Sequence, residues 1–256
     1  MNNDFYLVAN WKMNFTPAEA RELYTTFLNL SRREQFAKTK SSIHVWVAAP
    51  TICLPALWTV RSKQVRYGAQ NVHHDKSGAF TGEHSVDMLK SCGAEFTLLG
   101  HSERRHTFKE DDELISLRTE GALSQKLPVI LCVGETLEQR EANKTEDTLS
   151  DQLKKITPIL KEHTTPLLFA YEPVWAIGTG KVASPKEISA AHNHIKECIT
   201  KAGADEPIVL YGGSVKPDNI AEIAALPEVD GALVGGASLD ISSFEGLHST
   251  VLGILP

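Results

Sequence analysis

Eight short apolar runs recur along this chain, spaced widely enough for helices to lie between them. They are Phe5–Ala9, Ile43–Ala48, Val65–Ala69, Phe96–Leu99, Val129–Val133, Leu167–Tyr171, Ile208–Tyr211 and Ala232–Val234. The runs are continuous rather than alternating, which is the pattern of parallel strands covered on both faces. Between them apolar residues return at intervals of three and four, as in Ala20, Leu23, Phe27, Leu30 and in Ile188, Ala191, Ile195, Ile199. That is the period of a helix with one buried stripe. Thr16-Pro17-Ala18-Glu19 and Ser184-Pro185-Lys186-Glu187 each place a hydroxyl N-cap, an early proline and a glutamate at the third position, a helix-start signal with no chemistry of its own. Strand and helix alternate from end to end. Eight strands in 256 residues predict an α/β fold, a (β/α)8 barrel of eight parallel strands ringed by helices. A doubly wound sheet is the competing architecture, but no Gly-x-Gly-x-x-Gly follows the first run. No Pro- or Gly-rich linker divides the chain, so residues 1–256 read as one barrel domain.

The formal net charge of −6 comes with no basic stripe, which argues against nucleic acid and anionic membrane surfaces as partners. A small anionic substrate stays open, because its binding follows the local field. Cys53, Cys92, Cys132 and Cys198 are scattered, with no Cys-x-x-Cys pair, and read as reduced, mostly buried thiols. The start Met1-Asn2-Asn3-Asp4 lacks the basic opening of a signal peptide. Val45 to Val60 is the most apolar stretch, but Pro50 and Pro55 interrupt it and it is too short to span a bilayer. The expected location is cytoplasmic.

In such barrels chemistry gathers where the strands end. The sixth run passes straight into Glu172, and Pro173 stops the ladder there. Val174 to Lys181, with glycines at 178 and 180, reads as a lid-like segment behind that carboxylate. A base held under a segment able to close suits an enzyme that removes a proton from carbon. The first run leads into Asn10-Trp11-Lys12, an amide donor and a cation. The fourth leads into Gly100-His101-Ser102-Glu103, with His101 where a helix begins. A helix N-terminus disfavours imidazolium and keeps a neutral ring able to donate a proton. Cys132 reads as buried packing and Glu135 as support for a loop. The seventh and eighth runs end in Tyr211-Gly212-Gly213-Ser214 and Gly235-Gly236-Ala237-Ser238. Paired glycines let backbone N–H groups approach an anion, and loops at these two ends form the recurring phosphate site of the fold.

Other motifs fail. Gly178-Thr179-Gly180-Lys181 is no Walker loop, since Trp175 and Val182 occupy its first-glycine and hydroxyl positions. His192 and His194 lie two apart on a helix and cannot face one metal. His73-His74 lacks a third ligand at a metal-like spacing. The expectation is no metal, no nucleotide and no cofactor.

Taken in order, Asn10-Trp11-Lys12-Met13-Asn14, Gly68-Ala69-Gln70-Asn71, Gly78-Ala79-Phe80-Thr81-Gly82-Glu83, Gly100 through Arg105, Ala170 through Lys181, Tyr211 through Val215 and Gly235 through Leu239 resemble the triosephosphate isomerase family. The resemblance implies a TIM barrel that interconverts dihydroxyacetone phosphate and glyceraldehyde 3-phosphate through an enediol(ate). It casts Glu172 as the base, His101 as the neutral donor to the carbonyl oxygen, and Lys12 and Asn10 as charge and hydrogen-bond support. It implies a phosphate held by the N–H groups of Gly178, Ser214, Gly235 and Gly236, with Glu103 and Cys132 behind the reacting groups. Gln70 to Glu83, including Thr81, Gly82 and Glu83, is similar to the family's dimer loop, which implies a homodimer. The segment from Ile199 to Pro207 and the tail after Leu239 match no pattern of the family. Another sugar-phosphate barrel enzyme and a non-catalytic barrel are the alternatives. The first needs different groups at strands one, four and six, and the second usually has lost a catalytic residue.

Overall fold

The computed structural model describes residues 4–34, 43–178 and 181–255. All eight runs form strands: β1 (Phe5–Asn10), β2 (Ile43–Ala48), β3 (Val65–Gly68), β4 (Thr97–Leu99), β5 (Val129–Val133), β6 (Leu167–Tyr171), β7 (Val209–Tyr211) and β8 (Gly231–Val234). They stand in the order β3-β2-β1-β8-β7-β6-β5-β4, and each of these neighbours pairs in parallel. The two ends of that order meet at an isolated parallel bridge between Ala69 and Thr97. There Ala69 donates to the Phe96 carbonyl at 3.0 Å and accepts from Leu98 N–H at 2.9 Å. The sheet closes on itself and leaves no long edge exposed. A few strand ends fall one residue away from the apolar runs, because ladder hydrogen bonds and not apolarity set them.

The helices are α1 (Pro17–Glu34), α2 (Leu54–Trp58), α3 (Val86–Ser91), α4 (Ser102–His106), α5 (Asp112–Ser124), α6 (Leu137–Glu141), α7 (Thr145–Lys154), α8 (Thr157–Leu160), α9 (Pro185–Lys201), α10 (Ile220–Ala224) and α11 (Ile241–Ile254). Both predicted capping boxes are present. Ser184 and Glu187 exchange bonds at the start of α9, with Ser184 N–H to Glu187 Oε2 at 2.7 Å. Thr16 and Glu19 do the same ahead of α1. Each box satisfies two amides that no helix carbonyl reaches.

Continuous runs bury two layers. Val8, Trp46, Ala48, Phe96, Leu98, Ile130, Cys132, Leu168, Ala170, Leu210 and Leu233 fill the barrel interior. The alternate strand residues, among them Leu7, Val45, Leu131 and Phe169, meet the helices outside. Phe27 of α1 stacks on Phe244 of α11 at 4.1 Å between ring centroids, which joins the two ends of the chain. Each such ring contributes about 1.5–3 kcal/mol by leaving water. Among the described residues no helix is long and apolar enough to cross a membrane.

Candidate active site

Parallel strands put all their C-terminal ends on one face. A cavity of about 760 Å³ opens there, and Asn10, Lys12, His101, Glu172, Gly178, Ser214, Gly235 and Gly236 all line it. The structure thus brings together every residue that the sequence assigns to the reacting groups and the phosphate.

Glu172 follows β6 directly and is 2% exposed. Its Oε2 accepts the Ser102 N–H at 2.8 Å, and its Oε1 lies 3.0 Å from His101 Nε2. His101 is the N-cap of α4, and its Nδ1 accepts the Glu103 N–H at 3.3 Å. A ring nitrogen that accepts an amide leaves the ring's N–H to Nε2, the nitrogen on the side of the carboxylate. The cap geometry fixes the tautomer that faces the carboxylate.

Two glycines make room for Glu172, one for its backbone and one for its side chain. A Cβ at Gly134 would stand 1.7 Å from the Glu172 carbonyl oxygen, and one at Gly212 would stand 2.9 Å from Glu172 Cγ. Gly212 therefore clears the side chain of the base, a duty separate from the phosphate reading of its loop. Cys132 is fully buried beside Glu172. Burial, and next the Glu172 charge, push its thiol well above the usual range, so it packs and does not attack.

At the end of β1, Asn10 is buried and its Oδ1 accepts the Lys12 N–H at 3.0 Å. Lys12 sits at φ +49°, a left-handed conformation that costs a non-glycine residue roughly 1–3 kcal/mol. Its Nζ meets Glu103 Oε1 at 2.6 Å. Gln70 braces this turn: its Nε2 donates to Lys12 O at 2.9 Å and to Ala48 O at 3.0 Å. The sequence placed Gln70 only at the start of the dimer loop and missed this bracing contact, because it depends on the register of three strands. Beyond β8, Gly236–Ser238 forms a 3-10 turn whose first N–H groups find no acceptor within it, and Gly235, Gly236 and Ser214 line the same cavity.

Glu135 supports more than the loop that the sequence suggested. It is fully buried, and its Oε1 accepts from Trp175 Nε1 at 2.8 Å and Tyr171 OH at 3.1 Å. Burial, then Glu135, push the Tyr171 hydroxyl up, so it stays a donor. Arg140 reaches Glu135 at 3.5 Å, pairs with Glu187 and lies over the Trp175 ring at 4.5 Å. One guanidinium thereby holds the entry to the 174–184 segment and the helix that follows it. Thr179 and Gly180, the centre of the predicted lid, lie outside the described residues.

Thr81 and Gly82 are exposed, and Glu83 ties the base of their loop to Arg118 at 3.3 Å. Arg118 is itself buried against Glu110 at 2.8 Å. One expectation needs correcting here. His73 and His74 do have a third potential donor, Asp75, with one ligand atom from each lying within 4.8 Å of the others. The sequence reading counted no third ligand at a metal-like spacing, and the adjacent Asp75 supplies a candidate.

The family model for triosephosphate isomerase matches residues 5–251. Curated relatives carry the same name. The triosephosphate isomerase of Carboxydothermus hydrogenoformans is 44% identical over 94% of this chain and 96% of its own length. Those of Chlamydia muridarum and Alkaliphilus metalliredigens are 41% and 42% identical, each over 94% of this chain and over 89% and 97% of their own.

Proposed function

This chain belongs to the triosephosphate isomerase family, and on that premise we propose how its own residues carry the reaction. It is an isomerase that interconverts dihydroxyacetone phosphate and D-glyceraldehyde 3-phosphate through an enediol(ate), in glycolysis and gluconeogenesis. In our reading Glu172 takes a proton from one carbon and returns it to the next. Its carboxylate is a far weaker base than the carbanion, so the carbonyl oxygen must be stabilised as charge builds. The Nε2–H of His101 donates to that oxygen, and Lys12 supplies a positive charge that Asn10 and Gln70 hold in place. Glu172 leaves the Ser102 amide to reach carbon. The N–H groups of Gly178, Ser214, Gly235 and Gly236 grip the phosphate, so binding it draws the lid over the reacting carbons. Shielding also matters because an exposed enediolate can expel its phosphate.

The observation that carries this reading is a buried carboxylate and an imidazole Nε2 facing each other across 3.0 Å, in a cavity that also holds Lys12. A coupled isomerisation assay on the purified chain tests it. Turnover of both triose phosphates is expected, and a folded protein that turns over neither would end the reading.

We further read residues 1–256 as one domain, since strands from both ends of the chain share one sheet. The working form is a homodimer. Met13, next to Lys12 in the chain, is 95% exposed and Ile52 72%, apolar side chains that a second copy would cover. The Thr81 loop of each copy would then brace the other's Lys12. The four free thiols support a cytoplasmic setting.

A further inference from the structure

α7 and α9 pack together outside the barrel, and their seam holds a cluster that isomerisation does not use. His194 and Cys198 stand one turn apart on α9, with Cys198 Sγ 3.6 Å from His194 Nε2. Ser150 on α7 places its Oγ 2.8 Å from the same nitrogen and 4.0 Å from the sulfur. On the other side of the ring, His194 Nδ1 lies 3.9 Å from Glu146 Oε2. Cys53 and Cys132 are buried, whereas Cys198 is partly open to solvent.

Nδ1 faces the Glu146 carboxylate, and the tautomer that keeps its proton on that side leaves Nε2 as the acceptor. A hydroxyl and a thiol then converge on one nitrogen. Ser150 is not the nucleophile of this group. It lies inside α7 (Thr145–Lys154), where neighbouring N–H groups are spent on helix carbonyls and none is left to hold an oxyanion. The thiol needs no such hole, because sulfur attacks sulfur without a tetrahedral oxyanion.

We propose that Cys198 is a histidine-assisted thiol that exchanges with small-molecule disulfides and carries a reversible mixed disulfide on the α7–α9 seam. His194 Nε2 takes the Cys198 proton, and the thiolate attacks one sulfur of the disulfide. The new S–S bond forms as the old one breaks. The second sulfur leaves with the electron pair and takes the proton back from His194. The disulfide is the oxidant, and no other is needed.

Cys92 provides a control within the molecule. It is also half-buried, and the group beside its sulfur is Ser91 Oγ at 4.0 Å. The native chain would be treated at pH 7 with limiting 5,5′-dithiobis(2-nitrobenzoate), and the modified peptides located by mass spectrometry. Cys198 is expected to react about tenfold or more faster than Cys92. His194→Gln should bring its rate down to that of Cys92 while isomerase activity stays intact, which verifies folding. Ser150→Ala removes the competing hydroxyl and should raise the rate. A reducing thiol should restore the original mass. Equal rates for Cys198 and Cys92 in the wild-type chain, an unchanged rate in His194→Gln, or a fall in Ser150→Ala would each overturn the proposal. The wild-type ranking needs no variant and stands even if one fails to fold.

Discussion

His101 Nε2 and Glu172 Oε1 lie 3.0 Å apart, so the group assigned to give a proton and the group assigned to take one are bonded to each other. A substrate has to part them. Its carbonyl oxygen would inherit the imidazole N–H, and its carbon would face the carboxylate.

Replacing Glu172 by Gln keeps the volume and leaves an oxygen to accept from Ser102 N–H, but removes the base. Turnover is expected to fall on the order of 10³-fold or more, with the circular dichroism spectrum and the melting temperature nearly unchanged. Steady-state kinetics decide it. Most of the activity surviving would reject Glu172 as the base.

Gly178 has φ +68° and lines the cavity. Gly178→Asp puts a negative charge where the phosphate is proposed to sit. The inhibition constant of inorganic phosphate should rise about tenfold or more, roughly 1.4 kcal/mol. Gly178→Asn is the control, because asparagine tolerates the left-handed conformation without the charge. Equal effects from both would show strain alone.

Acid stability should report on His192. It is fully buried, its Nδ1 bonds the Glu228 carbonyl at 3.2 Å, and burial pushes its pKa down to about 3. Unfolded histidine binds a proton near 6.5 and the folded one does not, so the unfolded state gains protons first. The neutral ring's contribution is complete above about pH 6.5 and is lost as pH falls towards 3, by up to about 1.4 kcal/mol per unit. Urea midpoints at fixed protein concentration should show the wild-type advantage over His192→Gln shrinking by about 2 kcal/mol between pH 7 and pH 5. A pH-independent difference would contradict the burial argument.

Ser184→Ala removes one half of the capping box that starts α9. It should cost about 1 kcal/mol of unfolding free energy, and Ser184→Asp should recover most of it. Chemical denaturation measures both. No loss in Ser184→Ala would mean that solvent satisfies the helix end equally well.

Met13→Glu would place a charge on the surface assigned to the second copy. Sedimentation should then show the dimer giving way to monomer, with isomerase activity falling in parallel. A fully active monomer would remove the need for a second subunit.

The barrel was legible because a strand buried on both faces leaves no polar positions to hide it, so each run stands out. The reacting groups were legible for a related reason: a strand that ends in Glu172-Pro173 or Gly100-His101 must stop there. What the sequence hid is long-range. Gln70 works by reaching across from β3 to carbonyls at the ends of β1 and β2, and no local pattern announces that. Gly212 serves a side chain from the preceding strand, whereas its neighbours in sequence suggest an anion. The tail after Leu239 offered no motif, yet it forms α11, N-capped by Asp240 and packed through Phe244, Leu247 and Val251. Those three recur at intervals of three and four, so helical spacing marks this element where no motif of the family does.

Arg140 touches Glu135 at one root of the 174–184 segment and Glu187 just past the other. Roots pinned by a single planar cation have little slack left to surrender, whatever the segment between them does. On the proposed function, little of the phosphate's binding energy would then go into ordering those roots, and more of it would be left for speeding the chemistry.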